Sequence, residues 1–437
     1  MINRRQIRVL TTISKTYYFV DGATQRGLTY EAFQVFEEEL NKKLKNKNVR
    51  VHVFIVPVAN NDLIPALLEG RGDIVAAGKL ITEWRREQVD FTNPTRSNVS
   101  TLVVTGPGTP PLATVEGLAG KEVYLRQADV SKQAVDQFNA MLAKAGKPPV
   151  KIRPAPEVLA EEDLLEMVNA GLVPATLAND YIAEFWQQVF PNLVLNSGAA
   201  VKTGGQVAWM IRKNSPQLMG ELNAFIARYP EGSVQRNMLL QKYLKSVKYA
   251  KAATSKSEIA KFQRVVGFLR KYSDKYDLDY LLMGAQAYQE SGLDQNRKSA
   301  VGAIGVMQVM PATGKDMKVG DIAQLEPNIN AGVKYIRFMM DQFYANEPMD
   351  ALNKGLFTFA SYNAGPARVK QLRELAAKRG LNPNIWFNNV ELVAAEKIGR
   401  ETVQYVSNIY KYYLAYKMLT EQREERLKAK SEVTGQK

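Results

Sequence analysis

Along the first half of the chain, hydrophobic and polar positions switch repeatedly between a period of two and a period near 3.6. RRQIRVLTT, VRVHVFIVPV, DIVAAG, STLVVTG, KEVYLR, PATLAND and QVAWMIRK read as strands. Between them, TYEAFQVFEEELNKKLK carries apolar residues at helical spacing, and NNDLIPALLEGRGD reads as a helix stopped by glycine. PEVLAEEDLLEMVNAG and SPQLMGELNAFIARY are further helices. Strand–helix alternation of this kind predicts open α/β sheets with a ligand crevice at the strand ends.

Around residues 246–258 the pattern breaks. SVKYAKAATSKSEIA is polar, small and basic, as a linker would be. Beyond it the strand signals vanish. EIAKFQRVVGFLRKYSDKY, DYLLMGAQAYQESG, NINAGVKYIRFMMDQFYAN, LNKGLFTFASYNAG, PARVKQLRELAAKRG and GRETVQYVSNIYKYYLAYKML all read as helices. The expected organisation is an α/β module over 1–245, a linker over 246–258 and an all-α domain over 259–437.

Composition narrows the chemistry. The 437 residues exceed one ordinary core, in keeping with several domains. There is no stretch of ~20 apolar residues to span a membrane. No apolar run follows the basic start MINRRQIRVL as a secretory signal would require. Cysteine is absent and His52 is the only histidine. Thiol nucleophiles and zinc sites of paired His or Cys are therefore excluded, and any Ser-His-Asp site would need His52, which lies in a strand pattern. No metal and no cofactor are expected. The formal charge of +14 favours a polyanionic partner or surface. The Lys and Arg residues are scattered and carry no nucleic-acid motif, so nucleic acid is not the expected partner.

An enzyme built from this sequence must work with carboxylates, hydroxyls, amides, Lys or Arg. In YLLMGAQAYQESGLD an apolar helix ends at Gly292 with Glu290 in its last turn. Apolar surroundings and the negative helix end both raise a carboxyl pKa there, and a neutral carboxyl can protonate a leaving oxygen. Taken alone, the same residue reads more readily as a surface glutamate at a helix end. KSAVGAIGVMQVMPATG then supplies a Gly-rich loop with Gln308 and Met310 before Pro311, FASYNAG places Tyr362 and Asn363 at a helix end, and ETVQYVSNIYKYY supplies Tyr405.

The ordered blocks ES, GVMQ, SYNAG and a late QYV resemble the soluble-lytic-transglycosylase family, related in fold to goose-type lysozyme. GVMQ stands for the usual GLMQ and SYN for AYN, both mild departures. The resemblance implies a lysozyme-like all-α domain with Glu290 as the single acid/base. It places Ser291 in the ES pair and makes Ser299 the serine that hydrogen-bonds the catalytic carboxyl. Gln308 and Met310 would line the sugar subsite, while Tyr362 and Asn363 orient the carboxyl and the N-acetyl sugar. Tyr405 would face the same pocket. The implied partner is the peptidoglycan glycan strand, cut between N-acetylmuramic acid and N-acetylglucosamine to leave a 1,6-anhydromuramoyl end. Candidates for a second carboxylate are Asp294, Asp316 and Asp321, none within a matching motif. A lysozyme-type hydrolase and a binding protein with an inactive helical domain stay open as alternatives.

In the first half, LLEGRGDIVAAGKLITEWRREQVDFTNPT resembles the family 3 periplasmic solute-binding proteins. That resemblance implies two lobes around a cleft. Arg85 of the Thr82-x-x-Arg85 element would clamp a ligand carboxylate, as a guanidinium suits. Asp180 would hold an amino group, Ser131 would meet the carboxylate at a helix start, and Tyr17 or Tyr18 would wall the cleft. Asp180 also fits the start of the helix YIAEFWQQVF. The pairing of modules resembles membrane-bound lytic transglycosylases. It implies a regulatory first module that binds a stem peptide or amino acid, a periplasmic location, and peripheral association with the outer membrane.

Overall fold

A computed structural model describes residues 1–437 except 22–23, 46–47, 158, 241, 244–255, 400, 411, 414–415, 418–427, 429–430 and 433–437. The expected linker lies largely outside the described residues, and 256–258 already belong to the Lys256–Lys275 helix.

The first half holds two five-stranded mixed sheets and a small antiparallel pair, Phe19–Asp21 with Thr24–Arg26. Its strands are β1 (Gln6–Thr11), β2 (Phe19–Asp21), β3 (Thr24–Arg26), β4 (His52–Pro57), β5 (Ile74–Val75), β6 (Asp90–Phe91) and β7 (Arg96–Thr105). Then come β8 (Glu122–Arg126), β9 (Lys151–Ala155), β10 (Ala175–Asn179), β11 (Val194–Val207) and β12 (Met210–Ile211). Lobe one has the order β4-β1-β5-β12-β6 and lobe two β11-β7-β10-β8-β9. β1 runs parallel to β4 and β5, whereas β12 is antiparallel to β5 and β6.

Amphipathic helices cover these sheets. Leu28–Lys43 turns Phe33, Phe36 and Leu40 into the lobe-one core beside Val9, Val53 and Ile74, with Glu31 in its first turn and Lys42 and Lys43 in its last. That charge order complements the helix dipole. QVAWMIRK, expected as one strand, is divided. Val207 closes β11 against Arg96 of lobe two, and Met210 opens β12 against Val75 of lobe one. Ala208 and Trp209 carry the chain across. The alternation continues through the crossing because both sheets need the same period, so it does not mark the change of partner.

The lobes are closed on each other. The Tyr17 and Tyr181 hydroxyls meet at 2.7 Å, Trp186 Nε1 donates to Thr16 Oγ1 at 3.1 Å, and Asn60 Nδ2 donates to Glu157 at 3.0 Å.

The second half is helical: Lys256–Lys275, Tyr280–Ser291, Pro311–Met317, Leu325–Tyr344, Ala351–Ala364, Pro366–Lys378, Glu391–Lys397 and residues 401–410. Met283, Met307, Ile336, Phe357, Trp386 and Val406 are fully buried in one core. Among the described residues, no helix is long and apolar enough to cross a membrane.

The halves pack together. Arg5 donates through Nη2 to the fully buried Glu391 and through Nε to Asn388 Oδ1 at 2.9 Å. Asn48 Nδ2 reaches the Ala395 carbonyl at 3.0 Å, and Tyr288 donates to Thr24 Oγ1 at 2.9 Å.

Candidate active site

The Tyr280–Ser291 helix starts on Asp279, whose side chain accepts the Leu281 N–H at 2.8 Å. It stops at Gly292, whose φ of 68° is left-handed and natural for glycine. Leu282, Met283, Ala285 and Ala287 bury one side in the core. This places Glu290 in the last turn, half-buried, at the edge of that core.

Burial pushes the Glu290 carboxyl from an ordinary 4.5 up to about 7; the Tyr405 hydrogen bond and the charge of Arg297 pull it down. Among the described residues no second carboxylate acts on it. Asp294 and Asp321 are exposed and use a side-chain oxygen on the backbone N–H groups of Asn296 and Ala323, and Asp316 is exposed on its helix.

Tyr405, on the helix 401–410, donates its hydroxyl to Glu290 Oε1. It also accepts from the buried Gln286 Nε2 at 3.4 Å, so Gln286 orients the phenol from within the helix that carries Glu290. Burial and the Glu290 charge push the Tyr405 hydroxyl well above its ordinary range, which keeps it a donor.

The Gly-rich loop is held by polar groups that local sequence reading passed over. Asn328, fully buried, accepts the Met307 N–H at 2.9 Å and donates to the Ile304 and Ile322 carbonyls at 2.9 and 3.0 Å. Gly305, at φ 79°, lies so close that a Cβ there would sit 2.3 Å from Asn328 Nδ2. A periodic helix pattern marks position 328 as inward-facing, and a polar residue there was the available signal. Ser291 is also structural, donating to the Val306 carbonyl at 2.8 Å.

The residues expected at this site divide. Tyr405 meets Glu290. Tyr362 lies close enough that the Glu290 charge raises its pKa, after burial, and its hydroxyl donates to the Met307 carbonyl at 2.8 Å. Asn363 is exposed and accepts from Thr402 Oγ1 at 2.7 Å, tying two helices beside the carboxyl. Met310 is 41% exposed at the start of Pro311–Met317, where it is free to touch a bound chain. Gln308, at φ 45°, donates to the Gly305 and Arg297 carbonyls and braces the loop from within.

Ser299 departs from expectation. Its Oγ accepts the Ala303 N–H at 2.9 Å, and among the described residues it makes no hydrogen bond to Glu290. A serine at a tight turn caps the nearest free N–H, and here that N–H belongs to its own loop.

In the first half, Arg85 is buried. It donates through Nη1 to the Leu80 carbonyl at 2.8 Å and leaves Nε without a partner. Thr82 precedes that short helix with its hydroxyl also unpartnered. Ser131 sits in the first turn of Val130–Lys144. Asp180 is the first residue of Asp180–Gln187, and its carboxylate accepts the Ser100 and Tyr181 N–H groups at 2.9 and 2.8 Å. The helix start and a neighbouring strand occupy it, where a ligand amine was expected. Tyr18 is fully buried in the lobe-one core with its hydroxyl on Gln25 Oε1 at 2.9 Å. Its neighbour Tyr17, in the turn between Ser14 and Tyr18, faces the cleft instead.

The cleft also gathers ionisable groups that sequence reading did not single out. Burial lowers Lys79 to about 8 and raises Glu161 to about 7, beside the Arg126–Asp129 ion pair at 2.9 Å. A cavity of about 530 Å³ opens beside Tyr17, Gly78 and Tyr181, walled by Trp209 and Phe225.

Residues 268–384 match the Transglycosylase SLT domain, and residues 8–246 match Bacterial extracellular solute-binding proteins, family 3. The chain is similar to the membrane-bound lytic murein transglycosylase F of Desulfosudis oleivorans, at 26% identity over 93% of this chain and 89% of that one. It is 29% identical to the protein of the same name from Shewanella halifaxensis, over 93% and 85%. The solved structure of holo ArgBP from T. maritima covers 55% of this chain and 97% of its own, at 20% identity and a TM-score of 0.44.

Proposed function

The chain belongs to the family 3 bacterial extracellular solute-binding proteins and carries an SLT domain that makes it a lytic murein transglycosylase; from that premise we propose that Glu290 cuts the MurNAc-β-1,4-GlcNAc bond without water. The observation that carries this is one half-buried carboxyl raised to about 7, with Arg297 as the only charge among the described residues acting on it. Near neutral pH it is substantially protonated. It gives its proton to the glycosidic oxygen as the bond to C1 breaks. The resulting carboxylate takes the proton of the muramoyl C6 hydroxyl while that oxygen bonds to C1. The products are a free GlcNAc 4-hydroxyl and a 1,6-anhydromuramoyl end, and Glu290 is protonated again.

A hydrolase with two working carboxylates needs the second one roughly 5–9.5 Å from the first. Among the described residues no such partner perturbs Glu290, which favours the internal hydroxyl as nucleophile. Tyr405 holds the carboxyl in place and stabilises its charged form between the two proton transfers. Tyr362, Asn363 and Met310 face the substrate, while Ser291, Ser299 and Gln308 shape the loop.

The first module serves as a regulatory receptor for a stem peptide or amino acid. Arg85, Thr82 and Ser131 provide the carboxylate end of its site. The apolar cavity beside Tyr17 has the size of a short peptide. The relatives' shared description as membrane-bound and the charge of +14 support a periplasmic enzyme lying at an anionic outer-membrane surface.

Digestion of purified sacculi followed by mass spectrometry tests the chemistry. Anhydro ends are expected, and reducing muramic ends would replace this mechanism with hydrolysis. Glu290→Gln should abolish release; full lysis by that variant would remove Glu290 from the role.

A further inference from the structure

Between the halves lies a cavity of about 300 Å³ that neither the catalytic site nor the lobe cleft uses. Lobe one contributes Gln25, Gln34 and Arg50, and the helix 401–410 contributes Gln404 and Asn408. We propose that this cavity binds a neutral sugar bearing a 2-acetamido group.

Among the described residues, the one cation of the cavity wall already has its counter-charge. Arg50 is 5% exposed and pairs through Nη2 with Glu38 at 2.8 Å. Glu37 is buried, 3.4 Å from His52 Nδ1, and accepts the Val53 N–H at 2.6 Å. A cationic occupant would lie beside the buried Arg50 and an anionic one beside the buried Glu37, so a charge of either sign meets a like charge in a buried place, which is costly. A neutral polar occupant does not.

The hydrogen-bonding pattern selects further. Gln404 Nε2 donates to Asn408 Oδ1 at 2.7 Å. That pair leaves the Gln404 carbonyl as an acceptor and the Asn408 amide as a donor side by side. An acetamido group presents the complement, one N–H and one C=O. The Tyr18 hydroxyl occupies the oxygen of Gln25, so its NH₂ remains to donate. Arg50 Nε is buried with no partner, and a buried donor left unpaired costs stability. Donors of this kind suit ring and hydroxyl oxygens. Tyr30, Phe54 and Tyr412 complete the wall.

The source of such a sugar rests on the function proposed above. A chain that severs glycan strands works among 2-acetamido sugars. The chemistry of the cavity stands apart from that reading. The helix is shared, because Tyr405 points to Glu290 while its neighbours Gln404 and Asn408 face the cavity.

Calorimetric titration of the full chain with N-acetylglucosamine tests the site, against the same chain carrying Gln34→Leu with Asn408→Leu. Any sugar taken by the catalytic cleft is common to both chains. The parent should bind at one more site per chain than the double variant, and glucose should bind that extra site at least tenfold more weakly. Asn408→Asp, which removes the donor while keeping the shape, should weaken the extra site by at least tenfold. Equal stoichiometry in chains with the same circular dichroism overturns the site, and equal binding of glucose overturns its acetamido specificity. Sacculus lysis by Glu290→Gln judges the catalytic reading separately, whatever the titration gives.

Discussion

Glu290→Gln should alter how stability depends on pH as well as abolishing activity. In the folded chain the carboxyl titrates near 7, mainly because burial disfavours its charge; in the unfolded chain it titrates near 4.5. Below about pH 4 it is neutral in both states and has no pH-dependent effect. As pH rises from 4.5 towards 7, the unfolded chain releases the proton while the folded chain retains it, so unfolding becomes progressively easier. Above 7 both states are ionised and the loss is complete. At about 1.4 kcal/mol per pH unit, the interval between 4.5 and about 7 amounts to roughly 3 kcal/mol. Glutamine keeps the shape and an acceptor for Tyr405 but does not titrate. Urea unfolding of both chains, followed by far-UV circular dichroism between about pH 4 and pH 8, measures the difference. The stability of the variant relative to the parent should rise by roughly 3 kcal/mol over that range. A flat difference would mean that the carboxyl is not desolvated in solution, and the explanation of its acid role would fall with it.

Tyr405→Phe removes the bond that favours the carboxylate. It should lower turnover by about tenfold and move the alkaline fall of kcat/KM to higher pH, as read from a pH–rate profile. Asn328→Ala breaks three hydrogen bonds, two of them buried, and should cost about 3 kcal/mol, seen in urea unfolding, with lysis reduced because the 299–309 loop loses its anchor. Glu391→Ala strands Arg5 at the boundary between the halves and should destabilise by about 3 kcal/mol, whereas Glu391→Gln, which still accepts, should cost less. Arg85→Lys should abolish the stabilisation that a saturating stem peptide confers in a thermal-shift assay; an unchanged shift would place the ligand elsewhere.

Periodicity alone separated an α/β half from a helical half, since burial of one face imposes a period of two on strands and 3.6 on helices wherever they lie. The lack of cysteine and the single histidine by themselves excluded thiol nucleophiles and paired His or Cys zinc sites, leaving carboxylates, hydroxyls, amides, Lys or Arg. The ordered ES, GVMQ, SYNAG and QYV blocks singled out Glu290, Tyr362 and Tyr405. Other features depended on tertiary structure. Which strand β12 pairs with, and that Tyr17 faces the cleft while Tyr18 fills a core, follow from partners distant in the chain. Ser299 illustrates the same limit, because its Oγ accepts the N–H of Ala303, four residues away, and a motif cannot show that local bond. The pKa of Glu290 depends on the whole core removing water from one helix end. Gln286, Asn328 and the cavity shared by Gln34 and Asn408 exist only when segments separated by up to hundreds of residues meet. Hydrogen bonds across such separations leave no local pattern, because each partner's neighbours in sequence are chosen by its own helix or strand.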